Sequence, residues 1–289
     1  MDLFLSQVFS GIATGAIYGC VGLAMVMIFT STEKINFAQG EMATFSTYVA
    51  WTLMTVGLPY WGAFAAAVAL SFAGGVLIQR VLLTPLNNAP EMSQVIVFFG
   101  LFLVFNSVAG WIWGYLPFDF PSPLKGFNTG TTLISAHQLF IMLVAVIMLT
   151  LLFVFFRYTA LGLCMRAAAQ NPVSARLMGI RVGWMLALGW GLSAAVGAVA
   201  GIMVAPVVFL EPQMMVGVLL YAFAAALVGG IDSPPGAFVG GIIVGVLENL
   251  VGTYFVGTDL KLTVALVLII AVLIFRPTGL FGSKRVVRV

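Results

Sequence analysis

RYTALGLCMRAAAQNPVSARLMGIRV, residues 157–182, is the longest polar interruption in an otherwise strongly apolar chain. It carries Arg157, Arg166, Arg176 and Arg181 and no acidic residue. Inside it the punctuation of a short helix is complete: Asn171 suits an N-cap, Pro172 suits the first helical position, and Gly179 suits the stop just past the end. Val173 and Leu177, four apart, fall on one apolar face of that helix. Two readings are open on these residues alone. One is a surface for a soluble partner to grip; the other is a solvated basic loop that only fixes orientation.

The surroundings of this stretch decide the fold. The 289 residues are 62% hydrophobic and 7% charged, where soluble domains carry about 25% charged residues. Mean hydropathy is +1.15. The reading is an all-α, polytopic transmembrane helical bundle, a single transmembrane domain over residues 1–289. A spanning helix needs about 20 apolar residues. The candidate segments are about 4–30, 37–57, 60–84, 92–115, 136–156, 184–207, 216–231, 236–256 and 261–275, which makes eight or nine passes, some of them broken or re-entrant. The first stretch lacks a basic leader and is long enough to span, so it reads as a membrane segment and not a cleaved signal. The net charge of +3 is no nucleic-acid signature, because the basic residues sit beside hydrophobic segments.

Loop charge orients the segments. The loop at about 157–183 and the tail 276–289, with Arg276, Lys284, Arg285 and Arg288, are basic and acid-free, so both are expected in the cytoplasm. Working back, Arg80 is expected inside, the 117–135 loop outside, and the N-terminus outside. The outer loops carry Asp119, Lys125, Glu211 and Asp259. Glycines four apart, at Gly11, Gly15 and Gly19, Gly197 and Gly201, Gly236 and Gly240, and Gly241 and Gly245, mark close helix–helix faces.

Two stretches depart from plain spanning helix. STEKINFAQGEMATF (31–45) gathers Glu33, Lys34, Asn36, Gln39 and Glu41 at the start of an apolar pass. A charge at the bilayer centre costs about 2.5–3.5 kcal/mol, so Glu41 is expected near the interface or facing a partner inside the bundle. AFAAALVGGIDSPPGAFVGGIIVG (222–245) cannot run as one straight helix through Gly229-Gly230 and Pro234-Pro235-Gly236. Irregular backbone at membrane depth must be buried in protein or line a wet cavity. A pair of interrupted segments, one in each half, points toward a central path; a pair of short connecting loops is the plainer reading. Glu248 is a third candidate buried acid and reads as a polar contact between helices.

Some chemistries are excluded. None of the lysines closes a G-x-x-x-x-G-K-[ST] loop, so ATP, if used, binds to another chain. His137 is the single histidine, which rules out His-based metal sites and triads. Cys20 and Cys164 are poorly suited to a disulfide or a metal site. No catalytic residues and no metal ligands are assigned.

Six stretches in order resemble the LivH-type permease subunit of branched-chain amino-acid ABC importers: GAIYGCVGLAMVMIF (15–29), INFAQGEMATFSTYVAW (35–51), LTPL (83–86), LGLCMRAAAQNPVSARLMGI (161–180), AFAAALVGGIDSPPGAFVGGIIVGVLE (222–248) and FRPTGLFG (275–282). The resemblance implies a bacterial inner-membrane importer with a second related permease subunit, two cytoplasmic ATPase subunits and a periplasmic substrate-binding protein. This chain itself binds no cofactor, and ATP–Mg sits on the partners. It also implies that the basic loop is the coupling segment seated on an ATPase, with Arg166, Asn171, Val173, Arg176 and Leu177 as its contact and shaping residues.

Alternating access then moves the solute, with Asn36, Gln39 and Glu41 as the expected polar lining and no covalent chemistry. Gln39 stands where the family pattern often has His, replacing a titratable group with a neutral amide. The alternatives are a relative importing urea, short amides or another small polar solute, and a stand-alone carrier.

Overall fold

The computed structural model describes residues 2–32, 34–124, 134–257 and 260–282. Glu33, Lys125, Asp259, Lys284, Arg285 and Arg288 lie outside them. The protein is an all-α, multi-pass membrane bundle, and among the described residues no strand forms. Its helices are α1 (Asp2–Thr32), α2 (Gln39–Thr55), α3 (Tyr60–Ile78), α4 (Glu91–Trp113), α5 (Ala136–Tyr158), α6 (Ala160–Gln170), α7 (Pro172–Leu177), α8 (Val182–Val208), α9 (Met214–Gly229), α10 (Pro234–Val251) and α11 (Lys261–Phe275). Short π-turns extend α3 through Gln79–Leu83 and α10 through Gly252–Val256.

All nine expected segments are helical. Six are long and apolar enough to cross a membrane, α9 and α11 are shorter apolar helices, and α2 is 17 residues long and largely buried. The helix α6 is an addition, an element of its own inside the basic loop. Thr159 caps it, its Oγ1 accepting from Gly162 N at 3.0 Å.

The chain folds into two compact units. The first comprises Met1–Val26, Ser122–Ile147 and Gly217–Val289. Here the glycine row of α1 lies directly on α10. A Cβ on Gly15 would stand 2.6 Å from the Gly241 carbonyl oxygen and 2.7 Å from Ile242 Cα, and one on Gly11 would stand 2.7 Å from Val246 Cα. Lipid supplies no hydrophobic drive between helices, so this backbone-to-backbone approach is what holds the pair.

The interrupted stretch 222–245 is a tight corner. The helix α9 stops at Gly229, Gly230 takes φ 113°, and Ser233 caps α10 by accepting from Gly236 N at 3.2 Å, with Pro234 in the first turn. The last carbonyls of a helix need outside donors. Val228 O and Gly229 O receive Leu280 N at 2.8 Å and Phe281 N at 2.9 Å, so the chain after α11 is strapped across the end of α9.

The second unit comprises Met27–Pro121 and Met148–Val216. Its centre is α2 packed against α3, α4 and α8. Ile28, Ala38, Met42, Ile78, Leu83, Phe98, Leu101, Trp190 and Ala194 form its core. Gly75 admits α8 closely: a Cβ there would lie 2.6 Å from the Trp190 carbonyl oxygen. A chain of hydroxyls, Ser46 Oγ to Ser71 Oγ and Ser71 Oγ to Ala194 O, both at 2.9 Å, ties α2, α3 and α8 together. Beyond α8, Phe209 takes φ 65° and Leu210 pairs antiparallel with Phe118.

Candidate functional site: a buried polar start to α2 and an exposed basic hairpin

The first site is the beginning of α2. Asn36 Oδ1 accepts from Ala38 N at 3.1 Å and prepares the turn that opens the helix, a local substitute for a missing backbone partner. Its Nδ2 lies 3.4 Å from Gln39 Oε1. Gln39 Nε2 donates to the Ser193 carbonyl at 3.1 Å, and Ser193 Oγ donates back to Gln39 Oε1 at 3.2 Å. Gly197 leaves the space: a Cβ there would stand 2.5 Å from Gln39 Nε2. Asn36, Gln39 and Ser193 are all fully buried.

Ser193 sits eleven residues into α8, about 16 Å along its axis from Val182 at 1.5 Å per residue. The start of α2 is therefore level with the middle of a spanning helix. Its irregular backbone is buried in protein, as the expectation for such segments demands.

Glu41 does not join that cluster. Two residues along a helix is a turn of about 200°, which sends its side chain to the other face. It is buried, and its Oε2 accepts from Asn106 Nδ2 of α4 at 3.2 Å. The same Nδ2 also donates to Pro212 O at 3.1 Å. Glu41 Oε1 has no hydrogen-bond partner among the described residues. So the structure brings Asn36 and Gln39 together and sets Glu41 apart. Ser193 and Asn106, the partners that decide this, escape a reading of the sequence, because contacts across helices leave no local spacing signal.

Beside α2, an open apolar recess of about 140 Å³ is lined by Met42, Phe45, Val49, Leu70, Ile78 and Phe105, with Ser46 and Ser71 at its wall.

The second site is the α6–α7 hairpin. The expected short helix forms. Asn171 Oδ1 accepts from Ser174 N at 2.9 Å, Pro172 opens α7, and Gly179 follows it at φ 82°. Ala168, Ala175 and Val182 form a small buried cluster, with Ile180, Met185 and Leu186 around it, that seats the hairpin on the start of α8. The opposite side carries bare apolar surface: Val173, Leu177 and Met178 are 66%, 84% and 83% exposed. Arg157, Arg166, Arg176 and Arg181, in the same stretch of chain, are exposed as well. Met178 adds to the two apolar residues expected at this tip; it adjoins Leu177 and enlarges the patch. A rigid, capped, cationic element with an apolar tip has the makeup of a protein-contact surface.

No group of three or more His, Cys, Asp or Glu that could hold a metal ion occurs among the described residues. Cys20 and Cys164 are both free thiols.

Residues 7–273 match the family described as the branched-chain amino acid transport system / permease component. The chain belongs to that permease family. It is similar to the high-affinity branched-chain amino acid transport system permease protein LivH of Escherichia coli K12, with 30% identity over 99% of this chain and 98% of the relative. The same figures hold for the permease protein BraD of Pseudomonas aeruginosa. More distant is the fructose import permease protein FruF of Bifidobacterium longum, at 24% identity over 89% of this chain and 73% of the relative. Among solved structures, PsaBC from Streptococcus pneumoniae in complex with Fab matches with a TM-score of 0.50 and 15% identity, covering 94% of this permease and 91% of that chain. That likeness bears on the fold alone.

Proposed function

We propose that this permease is one membrane subunit of an ATP-binding-cassette importer for branched-chain amino acids in a bacterial inner membrane. It pairs with a second, related permease, receives solute from a periplasmic binding protein, and is driven by two cytoplasmic ATPases that carry the ATP–Mg. The chain performs no covalent chemistry. The α6–α7 hairpin and the C-terminal tail face the cytoplasm, and the N-terminus faces the periplasm, following the placement of Arg and Lys.

The observation that carries the reading is the exposed tip of α7. Three large apolar side chains are exposed on a helix of six residues and the residue that follows it, fixed by a capped start and by a buried seat on α8. Exposed apolar patches of this kind mark contact sites. Val173, Leu177 and Met178 enter a groove on the ATPase; Arg166 and Arg176 orient the contact; Asn171 holds the helix in shape. Movement of that seat reaches α8, and through Ser193 and Gln39 it reaches the start of α2. Asn36, Gln39 and Glu41 stand on the translocation path, Glu41 offering a free carboxylate oxygen and the other two fixing the backbone around it.

The test is reconstitution of the full importer in liposomes. Hydrolysis of ATP should rise with loaded binding protein, and leucine, isoleucine or valine should accumulate only when the ATPases are present. Accumulation without them would sink the reading. The resemblance to a fructose import permease supports a second reading, in which the same machinery moves a different small polar solute. Binding measurements on the partner binding protein separate the two.

A further inference from the structure

One buried acid takes no part in what precedes. Glu248 lies inside α10, within the spanning segment Pro234–Phe255, and is 7% exposed. A carboxylate at that depth is costly and calls for a function or a partner. Tyr18 of α1 and Tyr221 of α9 stack face to face at 4.8 Å, with 12° between their rings. Both bring their hydroxyls to the Glu248 carboxyl. Among the described residues its Oε2 has no hydrogen-bond partner.

One residue along, Asn249 donates to Thr14 Oγ1 at 3.3 Å and accepts from Lys261 Nζ at 3.1 Å. The charge of Lys261 acts on Glu248, and its ammonium gives one of its three N–H donors to the Asn249 amide. The first unit thus holds a buried acid on α10 and a cationic donor at the start of α11, each held by neutral polar groups. Their charges sum to zero.

A small solute that carries an ammonium and a carboxylate on one carbon is what this pair complements. The geometry points to Glu248 and Lys261, positioned by Tyr18, Tyr221 and Asn249, as a subsite for the zwitterionic head group of a free amino acid in transit. The solute's ammonium takes the open Oε2, and its carboxylate takes Lys261. The inference rests on the amino-acid reading of the function and adds where in the chain the head group is held. A structural polar tie alone explains the tyrosine contacts. It leaves one oxygen of a buried carboxyl without a hydrogen bond among the described residues, an uncommon arrangement for a buried acid.

The experiment uses the complete importer with its binding protein, in liposomes, with leucine as the probe. The quantity read is leucine moved per ATP hydrolysed, because a defect in folding or docking lowers both together. For Glu248→Gln, which keeps the shape and removes the charge, leucine per ATP should fall about ten-fold, the usual effect of losing one charge-assisted hydrogen bond. Lys261→Met should fall in the same direction. An unchanged ratio in both variants overturns the subsite. If Glu248→Gln does not assemble, Tyr221→Phe decides: a lowered ratio supports the subsite and an unchanged one overturns it. A wild-type importer that hydrolyses ATP but moves no amino acid breaks the substrate reading and this subsite with it. A wild type that moves leucine, beside variants with its ratio, breaks the subsite alone.

Discussion

Gln39 and Ser193, 154 positions apart in the chain, exchange two hydrogen bonds at 3.1 and 3.2 Å in the middle of the second unit. The amide of Gln39 uses its donor on a main-chain carbonyl and its acceptor on a hydroxyl. Both groups are fully buried, so neither has water to fall back on.

Gln39→Leu removes both bonds and leaves the Ser193 hydroxyl without that partner. At about 1–3 kcal/mol for each buried group left unsatisfied, the purified permease should melt measurably lower. Leucine uptake should fall as well. A variant with wild-type melting and wild-type uptake would remove Gln39 from both roles.

Glu41→Gln keeps an oxygen for Asn106 and takes away a buried charge. Burying a charge costs more than burying an amide, so melting should stay level or rise. If Glu41 lies on the path, uptake should drop at the same time. Stability and transport then move in opposite directions, which a packing defect does not produce.

Gly15→Leu drives a side chain into the α10 backbone at Gly241 and Ile242. Overpacking of this kind costs about 1–3 kcal/mol or more, and here no flexible side chain can yield. Yield of folded permease should collapse. Gly74→Ala is the control, since a Cβ there meets nothing within 4 Å.

Leu177→Ser changes an 84% exposed side chain and should leave the melting of the isolated permease within about 0.5 kcal/mol of wild type. Co-purification of the ATPases should weaken. Asn171→Ala should weaken it too, through about 1 kcal/mol of lost capping, and Asn171→Asp should restore it. Equal ATPase recovery from all three variants would move the docking surface elsewhere.

Much of the fold is legible in the chain because a membrane imposes a coarse rule: a helix shows as a long apolar run. Each of the nine runs is a helix. Asn171, Pro172 and Gly179 also read correctly, since capping depends on neighbours a few positions away. The helix α6 hides in its loop because eleven residues with Arg166 among them look like solvated chain. The split between Gln39 and Glu41 follows from helical pitch alone, but their partners Ser193 and Asn106 come from other helices. The tyrosine pair at Glu248 is hidden for the same reason: Tyr18 and Tyr221 are ordinary apolar-run aromatics until three helices converge.

The strap after α11 carries a practical lesson for anyone handling this permease. Leu280 and Phe281 close the end of α9 with their main-chain N–H groups, so side-chain substitutions there are survivable while deletion is not. A chain trimmed at Phe275 would leave the Val228 and Gly229 carbonyls without these donors and should express poorly. Affinity handles and fluorescent reporters belong downstream of Gly282, attached through a flexible spacer.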